Sequence, residues 1–218
     1  MRPAIALAAL ALSATTLAAQ HSANPKSSDE EAYLSWSAAQ SERVAQALYK
    51  RGRVGSFLGD RGPLQTERAQ NYKLAATLFS ADAIQATART VQIHSRLSPE
   101  QTRRLVSEAC AVNGLVVMIE LDPREGSGVI PLDWEAFLQP KGQPEHAVAG
   151  VNTPALRNVK GLAGVLRRNY DYDRFWMVFP SGPDVAYAKP DVTSIELVVR
   201  INDQEGRVDW PAAVLRHQ

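Results

Sequence analysis

The run Leu115 to Leu121, Leu-Val-Val-Met-Ile-Glu-Leu, limits what this chain can fold into more than any other stretch. It is rich in β-branched and large apolar residues, and both of its faces are apolar except at Glu120. Such a run reads as a strand covered on both sides, so the fold must supply a layer for each face. Its flanks set its limits. Ser98-Pro99-Glu100-Gln101 combines an N-cap serine, a proline at the first helical position and a glutamine at the reciprocal capping position. The helix this predicts runs to Asn113-Gly114, a C-terminal stop, and Asp122 to Gly128 is a turn on the far side.

Upstream the signal is helical. Ser28 as cap, with Asp29, Glu30 and Glu31 in a first turn, predicts a helix to about Lys50 along Leu34, Ala38, Ser41, Ala45 and Leu48. Gly52 to Gln65 is a loop by composition, and Thr66 to Phe79 is moderately helical. Ser80 caps a further helix from Ala81 to about Leu97, with Ile84, Ala88 and Val91 along one side.

Downstream the period changes to 2. Val129 to Leu132 reads as a short strand, Asp133 to Leu138 as a helical turn anchored by Trp134 and by Phe137 or Leu138, and Gln139 to Pro154 as a long surface loop. Pro154 to Arg168 is amphipathic, and Arg174 to Phe179 is a second buried strand. Ser194 to Ile201 is the cleanest strand, and a hairpin turn at Asn202 to Gly206 returns it into Arg207 to Trp210, which Pro211 confines to an edge. The expected class is α+β: a helical N-terminal half packed on a small, mostly antiparallel C-terminal β-sheet or sandwich. One composite domain, 29–218, is expected, helical over 29–113 and β-rich over 115–218, since no linker separates the capped helix from the first strand.

Residues 1–19 read as a cleaved secretory signal: Arg2, an apolar run from Ala4 to Leu12, then small residues to Ala19. The apolar run is far shorter than the roughly 20 residues a membrane span needs, so no transmembrane anchor is expected after cleavage. Residues 20–28 form a polar leader, and the expected location is secreted or periplasmic. Cleavage removes Arg2, one of 24 basic residues against 23 acidic ones, so the mature chain is formally neutral. A neutral chain has no global field to attract nucleic acid, and no nucleic-acid partner is expected. Cys110, the single cysteine, falls beside Val106 and Ala109 and is expected to be buried and inert.

Motifs for catalysis are lacking. His21, His94, His146 and His217 have no metal-ligand spacing, and the glycine-flanked Ser127 and Ser56 fail the Gly-x-Ser-x-Gly test. No metal and no cofactor is expected. Tyr170, Asp171, Tyr172 and Asp173 are the residues at which a ligand is sought, because paired carboxylates suit a hard cation and tyrosines stack on sugar rings. Against that, Arg167, Arg168 and Arg174 are placed to neutralise both aspartates, and this junction reading is adopted. Trp134, after a glycine-rich turn, is the further candidate; it and Trp210 are expected nearer the surface than Trp176. Lys50, Arg51 and Arg53 read as a solvated helix end. The function expected is a non-catalytic binding or scaffolding module of the cell envelope or exterior, with an envelope protein or polymer as partner. The alternative is a hydrolase of envelope polymers using two of Asp122, Asp133, Asp171 and Asp173.

Overall fold

The computed structural model describes residues 31–55, 72–123, 130, 132–166, 173–201 and 204–217. The predicted signal and leader, and Tyr170 to Tyr172, lie outside the described residues. Among these residues stand four α-helices, α1 (Ala38–Gly52), α2 (Ala81–Ser95), α3 (Pro99–Cys110) and α4 (Arg157–Ala163). Eight strands accompany them: β1 (Arg53–Gly55), β2 (Tyr72–Leu78), β3 (Leu115–Pro123), β4 (Glu135–Pro140), β5 (Val148–Ala149), β6 (Asp173–Phe179), β7 (Ser194–Ile201) and β8 (Gln204–Pro211). They form two antiparallel sheets, ordered β1-β2-β3-β6 and β5-β4-β7-β8.

The result is three layers, helices on the first sheet and the first sheet on the second. β3 serves two cores through its alternation. Leu115, Val117, Ile119 and Leu121 meet Leu138, Ile195, Leu197, Val199 and Trp210 of the second sheet. Val116 and Met118 meet Ile84, Val159 and Leu162 of the helices, with Trp176 beside them on β6. The run at the centre of the sequence is thus the strand covered on both faces. Each fully buried large side chain here contributes on the order of 1.5–3 kcal/mol.

The mixed α+β class holds, but the division into halves is loose: β1 and β2 precede α2 and α3, and α4 lies among the later strands. The capped helix forms as the sequence predicts. Ser98 Oγ accepts from Gln101 N at 3.2 Å and Gln101 Oε1 accepts from Ser98 N at 2.8 Å. The first helix begins later than the Ser28 cap implies. Ala32–Ser35 is a separate 3₁₀ turn that buries Tyr33, and Ser37 caps α1 by accepting from Gln40 N. Glu31 serves as the partner of Arg103 at 3.0 Å.

Two helical expectations fail in the same way. Tyr72–Leu78, within the stretch read as helical, is β2, and Glu135–Pro140 is β4. Ala75 and Ala76 favour helix locally, but β2 lies between β1 and β3 and buries both faces, so pairing overrides propensity. The predicted long loop accordingly starts later and is itself structured. Val148–Ala149 pairs with β4, Gly150 N donates to Ala136 O, and Val151 bridges Val178 of the first sheet. This segment stitches the two sheets along one edge. Gly150 is needed there, because a Cβ would stand 2.7 Å from the Phe179 ring. On the opposite edge Trp210 of β8 donates through Nε1 to Gly52 O at 2.7 Å. Trp210, expected near the surface, is fully buried.

Candidate functional site

Two polar clusters stand out, one inside the molecule and one at its end. The inner one centres on Glu120, the residue that breaks the apolar pattern of β3. It lies on the helix-facing side of the first sheet, in register with Ala75 on β2 and Arg174 on β6. Its side chain is 1 % exposed. Arg53 pairs with Oε2, Arg174 Nε lies 3.3 Å from Oε1, and the Tyr49 hydroxyl donates to Oε2 at 3.2 Å. Arg53 starts at the level of Thr77 and reaches back past the small Ala75, and its Nη1 also donates to Tyr49 at 3.1 Å. The group joins α1, β1, β3 and β6. Arg53, read as part of a solvated helix end, is therefore largely buried, while Lys50 and Arg51 are exposed. A carboxylate saturated by two guanidinium groups and a phenol holds elements together, and this is a structural pin.

The outer cluster lines a cavity of about 410 Å³ at the end of the second sheet, where β4 leaves and β7 enters. Its walls include Lys141, Gln143, His146, Lys189, Asp191 and Ser194. Local geometry fixes them. Lys141 N donates to Ser194 O at 3.0 Å, Gln143 N to Pro140 O at 3.0 Å, and Val192 N to Lys189 O at 3.2 Å. The last of these closes a turn with Pro190 at its second position, where proline's fixed φ suits a turn. Behind the adjoining wall Tyr187 is buried and its hydroxyl donates to Pro180 O, which anchors the 3₁₀ turn Ala186–Ala188. Burial pushes the Tyr187 phenol up, so it stays a neutral donor.

Charge in the cavity is balanced. Lys141 Nζ lies 2.9 Å from Asp209 Oδ2, and that hydrogen bond and charge raise the lysine pKa. Ser194 Oγ donates to Trp210 O at 3.0 Å, with Asp209 Oδ2 at 3.3 Å. Lys189 and Asp191 line the same cavity, and neither makes an ion pair among the described residues. The volume is in the range of small-molecule sites, while the lining is more polar than such sites usually have.

Of the residues sought from sequence, Asp173 and Trp134 are described, and neither lines this cavity. Asp173 opens β6 and is exposed, and Arg174, expected to neutralise it, turns inward to Glu120 instead. The register of β6 explains this, since 173 and 174 point to opposite faces. Trp134 is half-buried, edge-on to Phe175 with ring centroids 4.9 Å apart, a packing contact. Asp122, one of the hydrolase candidates, is paired with Lys73 at 3.2 Å, and Asp133 is exposed in a turn. Cys110, expected to be buried, is exposed at the end of α3; Ala109 takes the buried position. Among the described residues no group of three or more His, Cys, Asp or Glu is placed to hold a metal ion, and no helix is long and apolar enough to cross a membrane. The cavity residues were missed because they come from two loops with no motif; the prolines at 140, 144 and 190 were the one hint of fixed turns. Comparison with family models, with curated proteins and with solved structures finds no match to this chain.

Proposed function

We propose that the chain is an exported, non-catalytic binding module of the cell envelope or exterior, and that the cavity between β4 and β7 is its ligand site. The observation that carries this reading is the cavity itself: a volume suited to a small molecule, with polar walls on hydrogen-bonded turns. Export rests on the Arg2 to Ala19 pattern. The hydrolase reading has less support, because Asp122 is held by Lys73 and Asp173 and Asp133 are solvated.

The test is an amide-resolved NMR titration of the mature chain with a panel of small sugars, amino acids, dicarboxylates and inorganic phosphate. At least one compound should move the amides of Gln143, His146 and Lys189 to Ser194 saturably. Shifts confined to other parts of the molecule, or none with any compound, would overturn the cavity as ligand site. Fractionation with N-terminal sequencing tests export: the mature protein should begin near Ala19 or Gln20 outside the cytosol.

A further inference from the structure

We infer that the cavity takes a small zwitterion, a free amino acid or the end of a short peptide; this rests on the cavity being the ligand site proposed above. The argument is one of charge. Lys141 is already matched by Asp209, which leaves Lys189 and Asp191 as the two charged residues of the wall without an ion-pair partner among the described residues. They flank Pro190 in a turn closed by the hydrogen bond from Val192 N to Lys189 O, so their backbones are held in fixed relation. Each lacks an ion-pair partner among the described residues, although they stand two positions apart.

A ligand of one sign satisfies one of these groups and repels the other. Inorganic phosphate, for example, gains Lys189 and meets Asp191. A molecule carrying a carboxylate and an ammonium group satisfies both, with charge-assisted hydrogen bonds to each. Gln143 and Ser194 add neutral hydrogen-bonding groups to the same walls, where the His146 ring faces Glu145 at 3.9 Å.

The experiment is an NMR titration of the mature chain at pH 7 with alanine, N-acetylalanine, alaninamide and inorganic phosphate. It is run on the parent and on Lys189→Ala and Asp191→Asn. Both residues are exposed, so the variants should keep the parent's melting temperature. Alanine should shift the cavity amides saturably. Blocking either charge of the ligand, or removing either protein charge, should weaken binding about threefold or more, the loss of one charged contact at an exposed site. N-acetylalanine or phosphate binding as well as alanine would overturn the zwitterion while leaving the cavity as a binding site. Alaninamide binding as well would do the same. If none of the four moves the cavity amides, the zwitterion is overturned, and the wider panel then decides the fate of the cavity separately.

Discussion

Two carboxylates in this molecule each face two arginines, and they differ in almost everything else. Glu120 sits between the helices and the first sheet, 1 % exposed, with Arg53 and Arg174 at 13 % and 9 %. Glu205 sits on the outer face of the second sheet, 31 % exposed, with Arg200 and Arg207 at 50 % and 46 %. Arg207 continues from Glu205 to Glu196 at 2.8 Å, and Glu196 accepts from Gln139 at 2.9 Å, so the outer group forms a ladder along β4, β7 and β8. The chemistry is shared; the solvent is not. In the inner group each charge has been taken out of water and depends on its partners, whereas in the outer one water reaches Glu205, Arg200 and Arg207 and only the Glu196 end is buried.

The largest effect should therefore come from Glu120→Ala. It leaves two guanidinium groups and a phenol buried without their acceptor, and a loss of about 3–5 kcal/mol in urea unfolding is expected. A variant with Glu120, Arg53 and Arg174 all changed to Met should recover much of that loss, because it removes the stranded charges together. If the triple variant is as unstable as Glu120→Ala, the inner group does more than hold its own charges, and the comparison breaks.

Next comes Arg207→Ala. Half-exposed and shared between Glu196 and Glu205, it should cost about 1–3 kcal/mol, because the buried Glu196 then keeps only its hydrogen bond from Gln139. Salt sharpens the contrast. Raising ionic strength toward 1 M shortens the screening length to roughly 3 Å, so the Arg207 effect should shrink while the Glu120 effect persists. A Glu120 effect that fades with salt would mean that water reaches the inner group.

How much of this was legible follows from the same contrast between inside and outside. The capped helix at Ser98 and strands β3, β6 and β7 were legible because their signals are local: a cap, an apolar run, a period of 2. β2 and β4 were not, since Ala75-Ala76 and the short stretch from Glu135 take their form from the strands beside them. Glu120 was visible as an anomaly in an apolar run, yet its partners lie 67 and 54 positions away and no spacing rule links them. Arg53 was misread because a basic residue after a helix is usually solvated. The cavity was the least legible, being assembled from the 140–146 and 186–194 turns by the pairing of β4 with β7.

The smallest effect concerns pH. Partial desolvation pushes the Glu205 carboxyl up, but the hydrogen bonds from Arg200 at 3.0 Å and Arg207 at 2.7 Å outweigh it, and its pKa is lowered from 4.5. The folded state thus holds this proton less tightly than the unfolded chain does. Its contribution to stability is in place above pH 4.5 and is lost as pH falls through the lower, folded value. The parent should exceed Glu205→Gln in stability at pH 7, by a margin that closes on acidification and narrows in high salt. Unfolding midpoints of the two proteins from pH 7 to pH 3, at low and high ionic strength, measure it. A gap that stays constant across that range would show that Glu205 acts through packing or neutral hydrogen bonds, and the outer ladder would then owe its order to shape, not charge.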